Sequence, residues 1–324
     1  MRFLTSIFLF FQVALFGIQT DFDVAVVGTS PISMLEAIYH LARNERVLII
    51  EADERCGGAW KSINVCGVAA DLGCHQIGSD RKIKEFFEKY FGCRFICLDH
   101  PDHEAEDAHA HCSKGFYFSG GCQELISHLT EKLHSYSNVQ MIHQNLNSVF
   151  VDTVNGFVEL SIGGIRYTTE KLKITSKSHF CVNNPGFINN DFSTRYYHHL
   201  YILAEDTAPY SFTYLPGMVA GVSRIMNLTP FLQLPSENLQ LIVFQVNAEK
   251  HLHEMQQFFE ILKVRGLLTA EAKILDSATY TYHQSCMNIS MLQNLAGSLV
   301  EVLDTSSFGC MVRQLEKWQS VLSP

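Results

Sequence analysis

The residues best placed to do chemistry lie early in the chain. Gly28-Thr29-Ser30-Pro31-Ile32-Ser33 follows a short apolar run, and Glu51 ends a second one. A pyrophosphate brings negative charge close to the backbone. Its site needs a tight strand-to-helix turn, small residues and the positive end of a helix. The full pattern is Gly-x-Gly-x-x-Gly, with an acid about 20 residues further on that accepts hydrogen bonds from a ribose. This chain keeps the first glycine and has Ser30 and Ser33 in place of the other two. Each serine adds a Cβ where backbone should approach closely, and a hydroxyl that can donate to a phosphate oxygen. Glu51 is a charged acceptor, and each hydrogen bond to it contributes roughly 1.5–3 kcal/mol. The spacing predicts a dinucleotide site. The competing reading is the same turn without a ligand, because two glycines are missing.

The elements around these residues fit the pattern. Asp23 to Gly28 reads as a buried parallel strand, Ile32 to Ala42 has helical spacing, and Arg46 to Glu51 reads as a second buried strand. Strand, turn, helix and strand in this order form a βαβ unit. Further along, helices are expected at 81–91, 122–136, 248–265 and 310–322. Strands are expected at 139–142, 148–151, 196–204, 211–215, 239–246 and 299–303. A hairpin is expected around Gly163-Gly164, and a polar loop over 98–114.

The bulk composition narrows the class. With 324 residues, 47% hydrophobic and 18% charged, the chain can bury one large core or two domains around a shared ligand. A net charge of -9 without clustered Lys or Arg argues against nucleic acid as a partner. The ten cysteines form no CxxC pair and read as buried or idle thiols. Residues 3–18 are mostly apolar after Arg2, in the manner of a signal-peptide core. Residues 1–20 are therefore expected to target the chain for secretion, to attach it to a membrane, or to pack on a cytoplasmic domain. Asn227-Leu-Thr and Asn288-Ile-Ser are glycosylation triplets of a kind that chance also produces.

Three further landmarks carry a family resemblance. Glu51-Ala52-Asp53-Glu54-Arg55-Cys56-Gly57-Gly58-Ala59-Trp60 resembles the acid, spacer and Gly-Gly segment of flavin-containing amine oxidases, phytoene desaturases and UDP-galactopyranose mutases. Asp71-Leu72-Gly73-Cys74-His75 is similar to their Asp-x-Gly-x-His segment. Phe118-Ser-Gly120-Gly121-Cys-Gln-Glu-Leu125 is similar to their aromatic-x-Gly-Gly helix start. The likeness covers roughly residues 21–180.

The resemblance implies FAD as cofactor. Gly28, Ser30, Pro31 and Ser33 would then face the pyrophosphate, and Glu51 with Ala52 the adenosine ribose. Arg55, Gly57, Gly58, Ala59 and Trp60 would continue along the cofactor. Gly73 and His75 would lie near the isoalloxazine, and the strand at Val149 and Val151 would flank the adenine. The family's closing Gly-Asp segment is replaced by Val300 to Gly309, where Asp304 takes the aspartate's part.

Other candidates have bland readings beside them. His75 is either a catalytic contact to flavin or substrate, or a core histidine bonded to a carbonyl. Arg224, in an apolar stretch, is either a clamp for an anionic substrate or half of a salt bridge. The segment from His100 to Cys112 has metal-ligand types at irregular spacing and reads as a solvated loop, so no metal is expected. Tyr196 to His199 read as alternating strand residues. Gly217 to Gly221 lacks the strand and helix of a second nucleotide site, which leaves an NAD(P)H-dependent reaction without support.

The expected fold is α/β: a Rossmann-type FAD/NAD(P)-binding domain with an interleaved mixed-sheet α+β substrate domain. The first domain is expected at 21–80, 115–185 and 296–324, and the second at 81–114 and 186–295. The expected function is an FAD-binding oxidoreductase of the amine oxidase type acting on a small molecule, with mutase-like sugar chemistry as a sub-option. The alternative is a non-catalytic binding or scaffold module built on the same fold.

Overall fold

The computed structural model describes residues 19–72, 80–99, 114–175, 178–185, 187, 193–206, 214–216, 222–232, 234–247, 255–286, 289–303 and 311–322. β1 (Phe22–Val27) passes through Gly28 into α1 (Pro31–Leu41) and β2 (Val47–Glu51). β3 (Ser62–Val65) and β4 (Val68–Asp71) form a hairpin. α2 (Arg81–Phe91) follows, and β5 (Phe95–Asp99) pairs with β6 (Lys114–Phe118). Next come α3 (Gly121–His134) and β7 (Val139–His143). β8 (Leu146–Asp152), β9 (Phe157–Ile162) and β10 (Ile165–Thr175) form a meander that ends near β11 (Cys181–Val182). The later elements are β12 (Ser193–Glu205), β13 (Tyr214–Pro216), β14 (Val222–Asn227), β15 (Leu239–Asn247), α4 (Met255–Val264), β16 (Lys273–Cys286), α5 (Ile289–Ala296), β17 (Val300–Leu303) and α6 (Leu315–Leu322).

Five strands run parallel in the order β17-β10-β1-β2-β7. The chain leaves β1 for β2 on one side and reaches β10 on the other. The carboxyl end of β1 is therefore a topological switch point, the place where open α/β sheets bind ligands. β10 has two jobs. Its first half is antiparallel to β9, and its second half is parallel to β17. The sheet mixes both directions for this reason. The second sheet, β13-β14-β15-β12-β16, is antiparallel throughout, which corrects the mixed sheet expected there.

The cores show which segments travel together. On one face of the parallel sheet, Val24, Val26 and Ile49 pack with α1, with Phe86 and Phe87 of α2, with Leu125 and Leu129 of α3, and with Trp318. On the other face, Ala25, Leu48 and Ile50 pack with Val149, Leu160 and Ile162 of the meander and Leu292 of α5. α2 thus packs on one face of the parallel sheet and α5 on the other. α2 has Ile83, Phe86, Phe87 and Phe91 on one stripe, and the nearest large apolar face is the Rossmann layer. α4 covers one face of the second sheet with Phe258, Phe259 and Leu262. The other face packs on the β3–β4 hairpin and Tyr117.

Asp71 ties this seam together. Its carboxylate is 2% exposed and accepts from the Cys122 N–H (2.9 and 3.0 Å), from Ser62 Oγ (2.6 Å) and from the Tyr117 hydroxyl. Its carbonyl accepts from Tyr201 Oη of the second sheet at 2.8 Å. α3 has Gly120 at its N-cap, with no side chain to satisfy the first amides. Asp71 supplies that cap from another element, and its charge meets the positive end of the helix. Gly121 has φ of 73°, and a Cβ there would lie 3.1 Å from Asp71 Oδ1. The close approach requires glycine.

A second buried network joins the two ends of the chain. Glu36 of α1 is 1% exposed and meets His40 Nε2 (3.3 Å), Lys173 Nζ (3.1 Å) and Lys317 Nζ (2.6 Å). Lys173 also pairs with Glu301 of β17. Burial pushes the Glu36 carboxyl up. The His40 hydrogen bond and the charges of Lys173 and Lys317 outweigh it, and the group is held well below the usual carboxylate range. A buried charge stays only where it is paired this well.

Two outcomes follow for stability. Because the folded Glu36 has the lower pKa, the unfolded chain binds more protons below about pH 4.3. The network's contribution is complete above that pH and is lost as pH falls toward the folded value. Glu36→Gln leaves the buried Lys173 and the half-buried Lys317 undercompensated and is expected to lower the unfolding free energy by about 3 kcal/mol at pH 7. Urea titrations at pH 7 and pH 3.5 check this, since the variant should differ less from wild type in acid. Asp71→Asn removes the charged acceptor at α3 and is expected to lower stability by about 2 kcal/mol, read by urea denaturation at pH 7.

Candidate functional site

β1 and β2 are adjacent and parallel, with Val27 opposite Ile50. Their carboxyl ends therefore place Gly28 and Glu51 side by side, and the Gly28 N–H donates to the Ile50 carbonyl at 2.7 Å. Gly28 has φ of 86° and nothing within 4 Å of where a Cβ would stand. A side chain there would be excluded by backbone strain, not by crowding, and the space above the turn is open.

The residue between them organises the site. Thr29 is 1% exposed, and its N–H donates to Glu51 Oε2 at 3.0 Å. Its hydroxyl donates to the same oxygen and accepts from the Gly57 N–H at 2.8 Å. Glu51 Oε1 accepts from the Asp53 N–H at 2.9 Å. One threonine thus connects the phosphate-type loop, the acid at the end of β2 and the Gly57-Gly58 segment. Sequence reasoning passed over it. The signal was present, as a polar residue directly after the turn glycine in an otherwise apolar stretch.

The serines do not share one role. Ser30 is the N-cap of α1, and its Oγ accepts from the Ser33 N–H (3.3 Å) and lies 2.9 Å from Ser33 Oγ. Ser33 is fully buried, so it packs the helix against the sheet and does not face a ligand. One turn into the helix, its hydroxyl meets the cap. Pro31, the first helical residue, has no N–H to offer an anion.

The remaining predicted residues are spread out. Ala52 is exposed beside Glu51. Gly57 has φ of 114° and faces Ile126, while Gly58, Ala59 and Trp60 form a single 3₁₀ turn whose Trp60 packs on the first core. Arg55 is exposed, and its Nη1 donates to the Ser62 carbonyl at 3.4 Å. The Val149 side chain lies in the core, and its carbonyl accepts from Asn183 N at 2.8 Å. Burial, with the charge of Glu51, raises the Cys56 thiol above its usual range, and burial pushes Cys93 up to about 12. These thiols are poor nucleophiles.

A cleft of about 200 Å³ opens beside the start of α1, lined by Ile32, Glu36, Leu303, Gln314 and Trp318 among others. Asp304 follows Leu303 and lies outside the described residues, as do Gly73, His75 and the segment from His100 to Cys112. The backbone of Arg224 is in β14, opposite Gln245 of β15 and Pro216 of β13, in the second sheet. Along β12, His199 is buried, while His198 Nδ1 lies 3.0 Å from Thr281 Oγ1 on the exposed side, as strand alternation requires. Asn227 is fully buried with its amide donating to Gln240 at 2.9 Å, so the folded chain cannot present it for glycosylation. Among the described residues no cluster could hold a metal ion, and no helix is long and apolar enough to cross a membrane.

Comparison with known proteins agrees with this geometry. Residues 26–90 match the family model of the NAD(P)-binding Rossmann-like domain. No curated protein sequence matches the chain. Among solved structures, cyclohexylamine oxidase from Brevibacterium oxydans IH-35A superposes with a TM-score of 0.68 at 10% identity, over 93% of this chain and 99% of that one. A reduced UDP-galactopyranose mutase gives 0.68 at 11% identity, over 93% and 95%. RAB GDI from Plasmodium falciparum gives 0.58 at 10% identity, over 94% and 98%. Residues 26–90 thus belong to a Rossmann-like domain, and the chain shares its fold with the oxidase and the mutase.

Proposed function

We propose that the chain binds FAD at the carboxyl ends of β1 and β2 and is an FAD-dependent oxidoreductase acting on a small molecule. The observation that carries this reading is the switch point. The strand order puts an open turn at Gly28 and a buried acid at Glu51 next to each other, where a dinucleotide's pyrophosphate and ribose would lie. The residues present fit the adenosine end of the cofactor, since Glu51 keeps acceptor capacity on Oε1. They also leave the cofactor room to pass Gly28. When bound, the flavin would supply the hydride chemistry, and the chain would hold and orient it. On sequence position, His75 and Arg224 are the residues we assign to the substrate, and Asp304 to the cofactor's far end.

A second reading has an observation of its own. Pro31 removes one amide from the first turn of α1, and the Ser30 cap occupies that of Ser33. A pyrophosphate would find fewer donors there than a helix start normally offers. That depletion favours a binding protein that keeps the fold without turning over substrate, and the fold also occurs in RAB GDI.

The full-length protein with added FAD decides between them. The expected result is a bound flavin spectrum that bleaches on substrate-driven reduction. Bound flavin that no amine reduces, and that when reduced isomerises no nucleotide sugar, would select the second reading, and a protein that takes up no FAD would overturn the first. Glu51→Gln is expected to weaken FAD binding by roughly tenfold or more, the value of one charged hydrogen bond. Pro31→Ala restores an amide at the helix start and is expected to tighten FAD about fivefold by fluorescence titration. Unchanged affinity in Pro31→Ala would mean that the pyrophosphate does not sit on α1.

A further inference from the structure

We infer that Thr29 restricts Glu51 to a single ribose hydroxyl, making Thr29 a specificity-determining residue. The inference rests on the proposal that an adenine dinucleotide occupies this site. A carboxylate has about four lone-pair positions, two on each oxygen. Thr29 fills both positions on Oε2, one with its N–H at 3.0 Å and one with its hydroxyl. The Asp53 N–H takes one of the two on Oε1. Among the described residues, one position on Oε1 is left.

An acid that holds a ribose diol with both oxygens needs a position on each. Here the second hydroxyl finds Oε2 already saturated. The saturation is fixed by burial. Thr29 and Glu51 are 1% and 5% exposed, so no solvent competes for their hydrogen bonds. The Thr29 hydroxyl is also pinned from behind, because it accepts from the Gly57 N–H at 2.8 Å. With that acceptor role filled, its proton is directed at Glu51 and cannot turn toward a ligand. The main-chain donor at Thr29 would exist with any residue, but the side-chain donor is specific to threonine or serine at this position.

The test uses the full-length protein and displacement of bound FAD by ADP, 2′-deoxy-ADP and 3′-deoxy-ADP. In wild type, one deoxy analogue is expected to compete about tenfold more weakly than ADP, and the other within about twofold of it. Thr29→Val keeps the shape and frees a position on Oε2. It is expected to make both deoxy analogues weaker than ADP, while Thr29→Ser keeps the wild-type pattern. A merely structural role for Thr29 would lower all three affinities together. Wild-type sensitivity to both hydroxyls, or to neither, would overturn the inference and leave the flavin reading intact. Thr29→Val with the wild-type pattern would do the same. Wild type that takes up no FAD would bring down the functional reading, and this inference with it. If Thr29→Val does not fold, the wild-type and Thr29→Ser patterns still decide.

Discussion

The architecture depends on one buried carboxylate at the seam between two sheets. Asp71 ends the β3–β4 hairpin, caps α3 in place of the side chain Gly120 lacks, and holds the hydroxyls of Ser62 and Tyr117. Its own carbonyl takes Tyr201 from the second sheet. A charge this deeply buried is tolerated only because every approach to it carries a donor, one of them at the positive end of a helix. The arrangement fixes the hairpin as the wedge between the domains. It also explains two motifs that look independent in the sequence. The Asp71 segment and the Gly120-Gly121 segment are the two halves of one helix cap.

The candidate site is built on the same economy of buried polar groups. Glu51, Thr29, Asp53 and Gly57 satisfy one another, which makes the loop rigid but uses acceptor capacity that a ligand would want. Pro31 and Ser30 start α1 well and thereby remove amides from the place where an anion would lie. Helix capping and anion binding draw on the same unsatisfied N–H groups. In this chain the cap and Pro31 have taken part of that supply.

Glu36 and Lys173 show how the first and last parts of the chain are brought together. Lys173 lies in a central parallel strand, where an unpaired lysine would be prohibitive. Its partners come from α1 and β17, far apart in sequence. Lys317 brings α6 into the same network. The last strand and helix are thus held on the Rossmann layer by charge as well as by Trp318 in the core.

Local pattern by itself determined the βαβ opening, the meander and the amphipathic α2, because each is set by short-range periodicity and by a glycine at the turn. It also identified Gly28 and Glu51 as the ends of adjacent strands. It missed β16, at 14 residues the longest strand described, because the inward face of this edge strand is made of Ala278 and Tyr280, half-buried and interleaved with polar residues, and gives little apolar alternation. It did not show which sheet α2 and α5 pack on, because amphipathicity says that a face is buried but not against what. Tertiary structure alone decided that Ser33 packs inward, that Thr29 joins three segments, and that Asp71 caps a helix 50 residues away in the chain. Hydrogen-bond partners remote in sequence leave no periodic trace. A buried polar group is explained only when the fold shows what it meets.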